Sequence, residues 1–451
     1  MIILGKEQED ALNKIKEFIK SSNNIAFSLT GPAGTGKTLC TRYLIEWIED
    51  NGLLYSLCAP THKAALVLKQ YTNRSTITLH KLLSLSPNIQ LLDLDFRELK
   101  FITSKPLSEI PYKGIVICDE ASMINNDLFD LLIEKVSMKE SKIIFISDPC
   151  QLLPVKQNNI AKVYELPDQF HLTKIYRQSD KNPILPILQE LRSNEIGRFT
   201  DCQGEDGKLI VDDDIKKFLE KALNEVKVTI NTRNILNSRI AAYTNRRVSL
   251  YNLAVRKALF GDEKQYHKNE ILTAYENGSL EGINYYNSMD YIIVEDPIET
   301  TKVLPNFEEV KGFNLILYDQ YENNTFKIFM LSKDNSELLF EALAGTIEQI
   351  RLTAVNAKSR KLRSSSKYWK MYYDLMNSFT TPIDLFFDNR LIRKKSFDYG
   401  YATTVHKLQG SSFENIFVDI RNLKSCKDDL VRRQLEYVAL SRARKNVFIL
   451  Q

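Results

Sequence analysis

Gly31-Pro32-Ala33-Gly34-Thr35-Gly36-Lys37-Thr38 decides the reading of this chain. It fills every position of the pattern Gly, four variable residues, Gly-Lys-Ser/Thr. It also sits between an apolar run at 25–29 and a helical pattern with Leu39, Tyr43, Leu44, Trp47 and Ile48 on one face. Glycines at these positions let consecutive backbone N–H groups turn onto phosphate oxygens, and the helix N-terminus behind them adds a favourable dipole. The bland alternative is a Gly-rich turn between strand and helix, but both the motif and its context are complete. The pattern predicts a nucleoside triphosphate site in which Lys37 reaches the β- and γ-phosphates and the Thr38 hydroxyl binds Mg²⁺.

Further along, Asp119-Glu120 closes the apolar run 115–118, so both carboxylates emerge at the C-terminal end of a strand, where ligands of open α/β sheets lie. Asp119 is expected to hold the metal, and Glu120 to orient and deprotonate an attacking water. Short apolar runs at 25–29, 53–58, 115–118 and 143–146 alternate with longer mixed segments, which predicts a parallel sheet covered by helices. Residues 84–112 break this rhythm, with Pro87, Pro106 and Pro111 around Phe96 and Phe101, and read as a small insertion. A second alternating region opens at 239–243 and resumes at 415–420 and 446–450. Between them, 263–395 is rich in Tyr, Asn and β-branched residues and reads as a β-rich insertion with a polar, partly helical arm.

Composition fits this picture. The chain has 451 residues, 43% hydrophobic and 26% charged, with only 16 Gly and 13 Pro, which excludes disordered, collagen-like and coiled-coil classes. The net charge of +4 hides a split: residues 1–350 carry 41 basic and 48 acidic side chains, whereas 351–451 carry 20 and 9. Such asymmetry points to a polyanionic partner met mainly by the C-terminal part. The segment 358–370 concentrates it, with six basic residues, no acid, and Tyr368 and Trp369 beside them. No apolar run approaches the ~20 residues that cross a bilayer. Six scattered cysteines form no C-x-x-C pair, so they read as buried hydrophobes of a soluble protein in a reducing, cytoplasmic compartment.

These motifs leave kinases, GTPases and motors open. The remaining ones narrow the choice: Gln8, Ala59-Pro-Thr-His-Lys-Ala-Ala65, Thr78-Leu-His80, Asp119-Glu-Ala-Ser122, Asp148-Pro-Cys-Gln151, Tyr176-Arg177-Gln178, Thr403-Thr-Val-His-Lys-Leu-Gln-Gly410 and Val438-Ala-Leu-Ser-Arg-Ala443. Their order resembles that of superfamily 1 helicases, and the second, third and seventh resemble the group B branch of RecD-like and Dda-like enzymes.

The resemblance implies an α/β fold of two RecA-like parallel-sheet domains in tandem. The first comprises 1–83 and 113–179, with a wedge insertion at 84–112; the second comprises 180–262 and 396–451. The larger insertion, 263–395, is expected to be a Src-homology-3-like barrel plus a basic arm. By the same resemblance Gln8 contacts adenine, Gln409 and Gly410 join the nucleotide contacts, and Gln151 senses the γ-phosphate. Arg177 and Arg442 become arginine fingers. Pro60, Thr61, His62, Thr78 and His80 on one domain, and Thr404, His406 and Lys407 on the other, become grips on nucleic acid, with Pro87, Phe96 or Phe101 as a strand-splitting wedge. Ser147, Leu153 and Ser441 depart from the family's usual Gly, Pro and Thr. The implied activity is an ATP-dependent DNA helicase and single-stranded DNA translocase of 5′-to-3′ polarity. It would act on forked duplexes as a monomer, with single-strand-binding or replication proteins as further partners. An RNA helicase and a non-catalytic loading module stay open as alternatives.

Overall fold

The computed structural model describes residues 4–103, 109–152, 161–176, 181–193, 197–261, 263–280 and 282–451. The first sheet is parallel throughout, in the order Thr76–Thr78, Tyr55–Ala59, Ile115–Cys118, Lys142–Ser147, Ala26–Thr30, Asp168–His171. Its inner strands are runs of Ile, Val, Phe and Cys because a parallel sheet is covered on both faces. Leu12, Ile15, Leu44 and Ile48 cover one face, and Leu132 and Val136 cover the other. This order places Ala26–Thr30, Lys142–Ser147 and Ile115–Cys118 side by side, so the residues that follow each of them share one edge. The flanking strands Thr76–Thr78 and Asp168–His171 went unread in the sequence, being short and without an apolar run.

The second sheet runs Ala402–Thr404, Ser238–Ala242, Phe413–Asp419, Ala443–Leu450, Gly207–Asp212, Cys202–Gly204, all parallel except the last pair. Phe417 stacks on Phe448 at 4.4 Å within its core. Both halves are therefore α/β with parallel sheets, as the two-RecA-like expectation has it.

Residues 271–399 hold an antiparallel sheet. Its longest strand, Glu309–Asp319, pairs with Asn324–Leu331 on one flank and with Ile298–Val303 and Asp290–Ile293 on the other. Ile271–Ala274 and Phe397–Tyr399 complete the path. Its two ends meet only through a bridge from Met330 to Thr380 and hydrogen bonds between Thr381 and Ser396, not through a continuous ladder among the described residues. The arm is a helix pair, Glu337–Ser359 and Ser365–Met376. Trp369 packs into its apolar core against Tyr372, while the neighbouring basic side chains of 358–370 face solvent. Among the described residues no helix is long and apolar enough to cross a membrane.

In the small insertion, Leu85–Pro87 pairs with Phe101–Thr103 as an antiparallel ribbon. The loop between them is tied to the distant arm. Arg351, held by Glu348, donates to the carbonyls of Ile89, Leu91 and Leu92, and the Phe96 N–H donates to the Leu391 carbonyl at 2.9 Å.

Candidate active site and nucleic-acid interface

The phosphate loop leaves Ala26–Thr30 and enters the helix Lys37–Asp50 through Gly34 and Gly36, both at positive φ (89° and 82°), where a side chain would be strained. A side chain at Gly36 would also collide with the Gln8 amide. Lys37 Nζ lies 2.6 Å and 2.9 Å from the carbonyls of Gly31 and Pro32, so the ammonium is held over the loop. Thr38, Asp119, Glu120, Gly410 and Arg442 line one cavity of about 210 Å³. Asp119 is half-buried; loss of water, then the neighbouring Glu120 charge, push its carboxyl up to about 7. Glu120 itself has φ 52° and ψ 38°, a left-handed backbone uncommon outside glycine, Asn and Asp.

Arg442 enters from the second domain. Its guanidinium is buried and aimed by donation to the Val438 and Ser411 carbonyls and to Ser441 Oγ, which in turn donates to Val438. The hydroxyl that Ser441 shares with the more usual Thr is thus the part that positions the arginine. Arg177 and Leu153 lie outside the described residues; the segment before Arg177 reaches the loop, the Tyr176 N–H donating to the Gly34 carbonyl at 2.7 Å. Ser147 ends a regular strand, and its carbonyl accepts the Gly31 N–H at 3.1 Å. Gln151 is buried near Asp148, and its Oε1 has no partner among the described residues.

Gln8 accepts from the Gly5 N–H and donates to the Thr35 carbonyl, so its amide braces the phosphate loop. Gln409 points away from Gly410, into the second cavity described below. One contact went unread: Tyr437 Oη accepts from the Ala33 N–H at 3.1 Å and donates to Asp148 Oδ2 at 2.9 Å, tying the second domain to the phosphate loop. Its place in the helical stretch just before Val438-Ala-Leu-Ser-Arg-Ala443 was the only hint.

On the opposite side lies a cleft of about 900 Å³, lined by Pro60, Thr61, His62, Thr78, His80, Pro87, Phe101, His406 and Lys407. Thr61 and Thr78 cap their helices, accepting from Ala64 and Lys81. Their side chains therefore fix the backbone that faces the cleft. Burial lowers the pKa of His62, His80 and His406, with His62 at about 4, so these rings enter the cleft neutral. Lys407 Nζ sits 3.3 Å from the centroid of Tyr275. Phe101 lies against His80 at 4.6 Å and is well exposed, whereas Phe96 does not line the cleft and its backbone N–H bonds to Leu391. Thr404 is buried beneath its helix and does not line the cleft. Lys63, Asn277, Asn287 and Ser288 do line it, although their residue types gave no sign of that in the sequence.

With this geometry in view, likeness to known proteins is informative. The AAA domain family matches residues 3–214, and the UvrD-like helicase C-terminal domain family matches 399–450. The chain is 25% identical to the ATP-dependent DNA helicase Dda of Enterobacteria phage T4 over 470 residues, covering 99% of this chain and 98% of the relative. It is 33% identical to the ATP-dependent RecD2 DNA helicase of Deinococcus radiodurans over 199 residues, 44% of this chain and 25% of that one. The fold is shared with the Pif1 helicase of Candida albicans (TM-score 0.53, 14% identity, 100% and 95% of the chains). Bacteroides Pif1 bound to single-stranded DNA is similar in the same sense (TM-score 0.50, 17% identity, 100% and 93%).

Proposed function

We propose that this chain belongs to the superfamily 1 group B helicases of the RecD-like and Dda-like branch, a reading that its likeness to Dda and RecD2 supports, and that it couples ATP hydrolysis in the cleft between its two parallel-sheet domains to movement along single-stranded DNA and separation of a duplex. One observation carries the coupling: both cavities share walls. In the helix His62–Thr72, His62 and Lys63 face the DNA-side cleft, while Ala64, Val67 and Tyr71 face the nucleotide cavity. In the segment 406–411, His406, Lys407 and Gln409 face the former, and Gly410 and Ser411 the latter. A Cβ added at Gly410 would lie 3.5 Å from Ala64, so these two walls approach closely across the domain boundary. Closure of one cavity must therefore move the grips in the other.

The donor set fits a divalent cation. A carboxylate whose pKa is raised by burial and a like charge, sharing a cavity with a helix-leading hydroxyl, gains from a cation beside it. Thr38 and Asp119 would hold Mg²⁺, whose contribution is to neutralise phosphate charge. The chain's own groups do the rest. Phosphate-loop amides and Lys37 bind the β- and γ-phosphates, Glu120 accepts the proton of the attacking water, and Gln151 carries the γ-phosphate's state to the neighbouring domain. Arg442, supplied across the boundary, stabilises charge on the transferring phosphoryl group only when the domains close.

Hydroxyls, neutral imidazoles and backbone amides suit sugar-phosphate contact without sequence readout. Phe101, exposed at the end of the ribbon over Pro87, is the better-placed wedge, since an aromatic can stack on the last base pair. A monomer suffices, because one chain supplies both walls of both cavities. Polarity is read as 5′-to-3′ from the resemblance. The test is phosphate release with and without single-stranded DNA, together with unwinding of duplexes bearing a 5′ or a 3′ tail. Stimulation by DNA and unwinding of the 5′-tailed substrate support the reading. Unwinding of the 3′-tailed substrate alone overturns the polarity, and absence of any stimulation overturns the coupling.

A further inference from the structure

The hairpin Gly278–Leu280 to Ile283–Tyr285 is followed by a short loop that leans across the domain boundary onto the start of helix His62–Thr72. Two contacts hold it there. Lys63 Nζ lies 3.3 Å from the Ser288 carbonyl and 3.6 Å from Asp290 Oδ2, which fixes the rear of the loop. At its front the Tyr286 ring stacks on His62, with centroids 4.0 Å apart and planes tilted by 17°. The Tyr286 backbone is anchored separately, its N–H donating to Tyr291 Oη and its carbonyl accepting from Met289. The ring is thus held at stacking height by the loop.

The stacked pair separates two spaces. On one side is the 900 Å³ cleft; on the other is a pocket of about 420 Å³ that shares His62, Thr78 and Lys81 with it and adds Lys69, Asn284 and Asn324. That volume lies in the range ligand pockets occupy, roughly 300–1,000 Å³. Its lining pairs ammonium groups with amides, the donors that a phosphate and a base edge require. Lys69 is bonded to Glu322 at 3.0 Å, an exposed pair that a phosphate can replace.

We propose that Tyr286 and His62 form a base-stacking gate: a nucleobase of the single strand enters between the two rings, and the pocket behind them receives that nucleotide. This rests on the helicase reading above and adds to it a binding site and a residue, Tyr286, from the β-rich insertion. Entry of a base exchanges one ring–ring stack for two, so the gate costs little to open and holds once filled. Burial keeps the His62 ring neutral, which removes charge from the face a base must meet. Because one ring belongs to the first domain and the other to the second domain's insertion, grip on the base follows their separation.

The test uses the full chain and a set of single-stranded DNA oligonucleotides, each with 2-aminopurine at one position. One position is expected to be quenched severalfold more than the others on binding. Tyr286→Leu removes that quenching and weakens binding roughly 5- to 150-fold, as loss of one stacked base predicts, while Tyr286→Trp retains both. Should Tyr286→Leu not fold, the wild-type chain still decides: a 5-iodouracil at the quenched position crosslinks on illumination to Tyr286 or His62. Equal quenching in wild type and Tyr286→Leu, or a crosslink elsewhere, overturns the gate while leaving the helicase reading intact. Failure of the wild-type chain to bind any oligonucleotide overturns both.

Discussion

At the residue scale, the catalytic set is the most legible part of the sequence, because a phosphate loop and a strand-end carboxylate pair are dictated by backbone geometry and charge. Glu120→Gln is expected to leave nucleotide binding intact and to slow hydrolysis about 10²- to 10⁴-fold, the usual weight of a general base, as read by phosphate release beside nucleotide affinity. Lys37→Ala should lose binding as well. Residues whose role depends on which neighbour they meet were not legible. Gln8 could equally face a base or brace the loop, and Gln409 and Gly410 are adjacent yet face different cavities. Lys407 offers a pH test. Burial pushes its ammonium down to about 8, with Lys395 and Lys394 adding to this and Asp290 and Asp398 opposing, while the Tyr275 ring faces it. A phosphate favours the charged form, so DNA affinity should be full below that value and fall as pH rises through it. Lys407→Arg, which stays charged, should flatten the profile in anisotropy titrations.

At the element scale, the parallel strands were readable because runs buried on both faces are apolar throughout, whereas short edge strands such as Thr76–Thr78 carry too little pattern. The wedge is the clearest gap between sequence and structure. Phe96 and Phe101 look alike in the chain, but only the fold shows Phe101 lining the cleft and the Phe96 backbone tied to the strand Arg390–Arg393. The same applies to 358–370, where Trp369, half-buried, packs against the arm's core. Arg351 fixes the wedge loop to that arm through three carbonyls, a link of 259 residues or more along the chain. Arg351→Met is expected to free the loop, cutting strand separation while DNA-stimulated hydrolysis persists. Comparison of unwinding with ATPase rates reads this directly, and equal loss of both would assign Arg351 to general stability instead.

At the scale of the whole molecule, the charge split acquires a location. The acidic part holds the nucleotide carboxylates, while the basic part holds Arg442, Lys407 and the exposed arm. Where the two domains and the insertion meet, Asp290 accepts Arg239 Nη2 at 2.9 Å, takes Thr273 at its other oxygen and faces Lys63, all buried. One carboxylate thus ties the first domain, the second sheet and the insertion together. Asp290→Ala would leave two buried cations without their anion and is expected to cost about 3–5 kcal/mol in urea unfolding. No sequence pattern announces such a node, because its members lie far apart in the chain. Whether nucleotide closure drives the grips through shared walls is decided by strand separation on a 5′-tailed duplex with ATP, comparing wild type with Glu120→Gln. The wild-type chain is expected to unwind it, and the variant to bind DNA tightly without unwinding. Unwinding by Glu120→Gln at the wild-type rate would contradict that coupling.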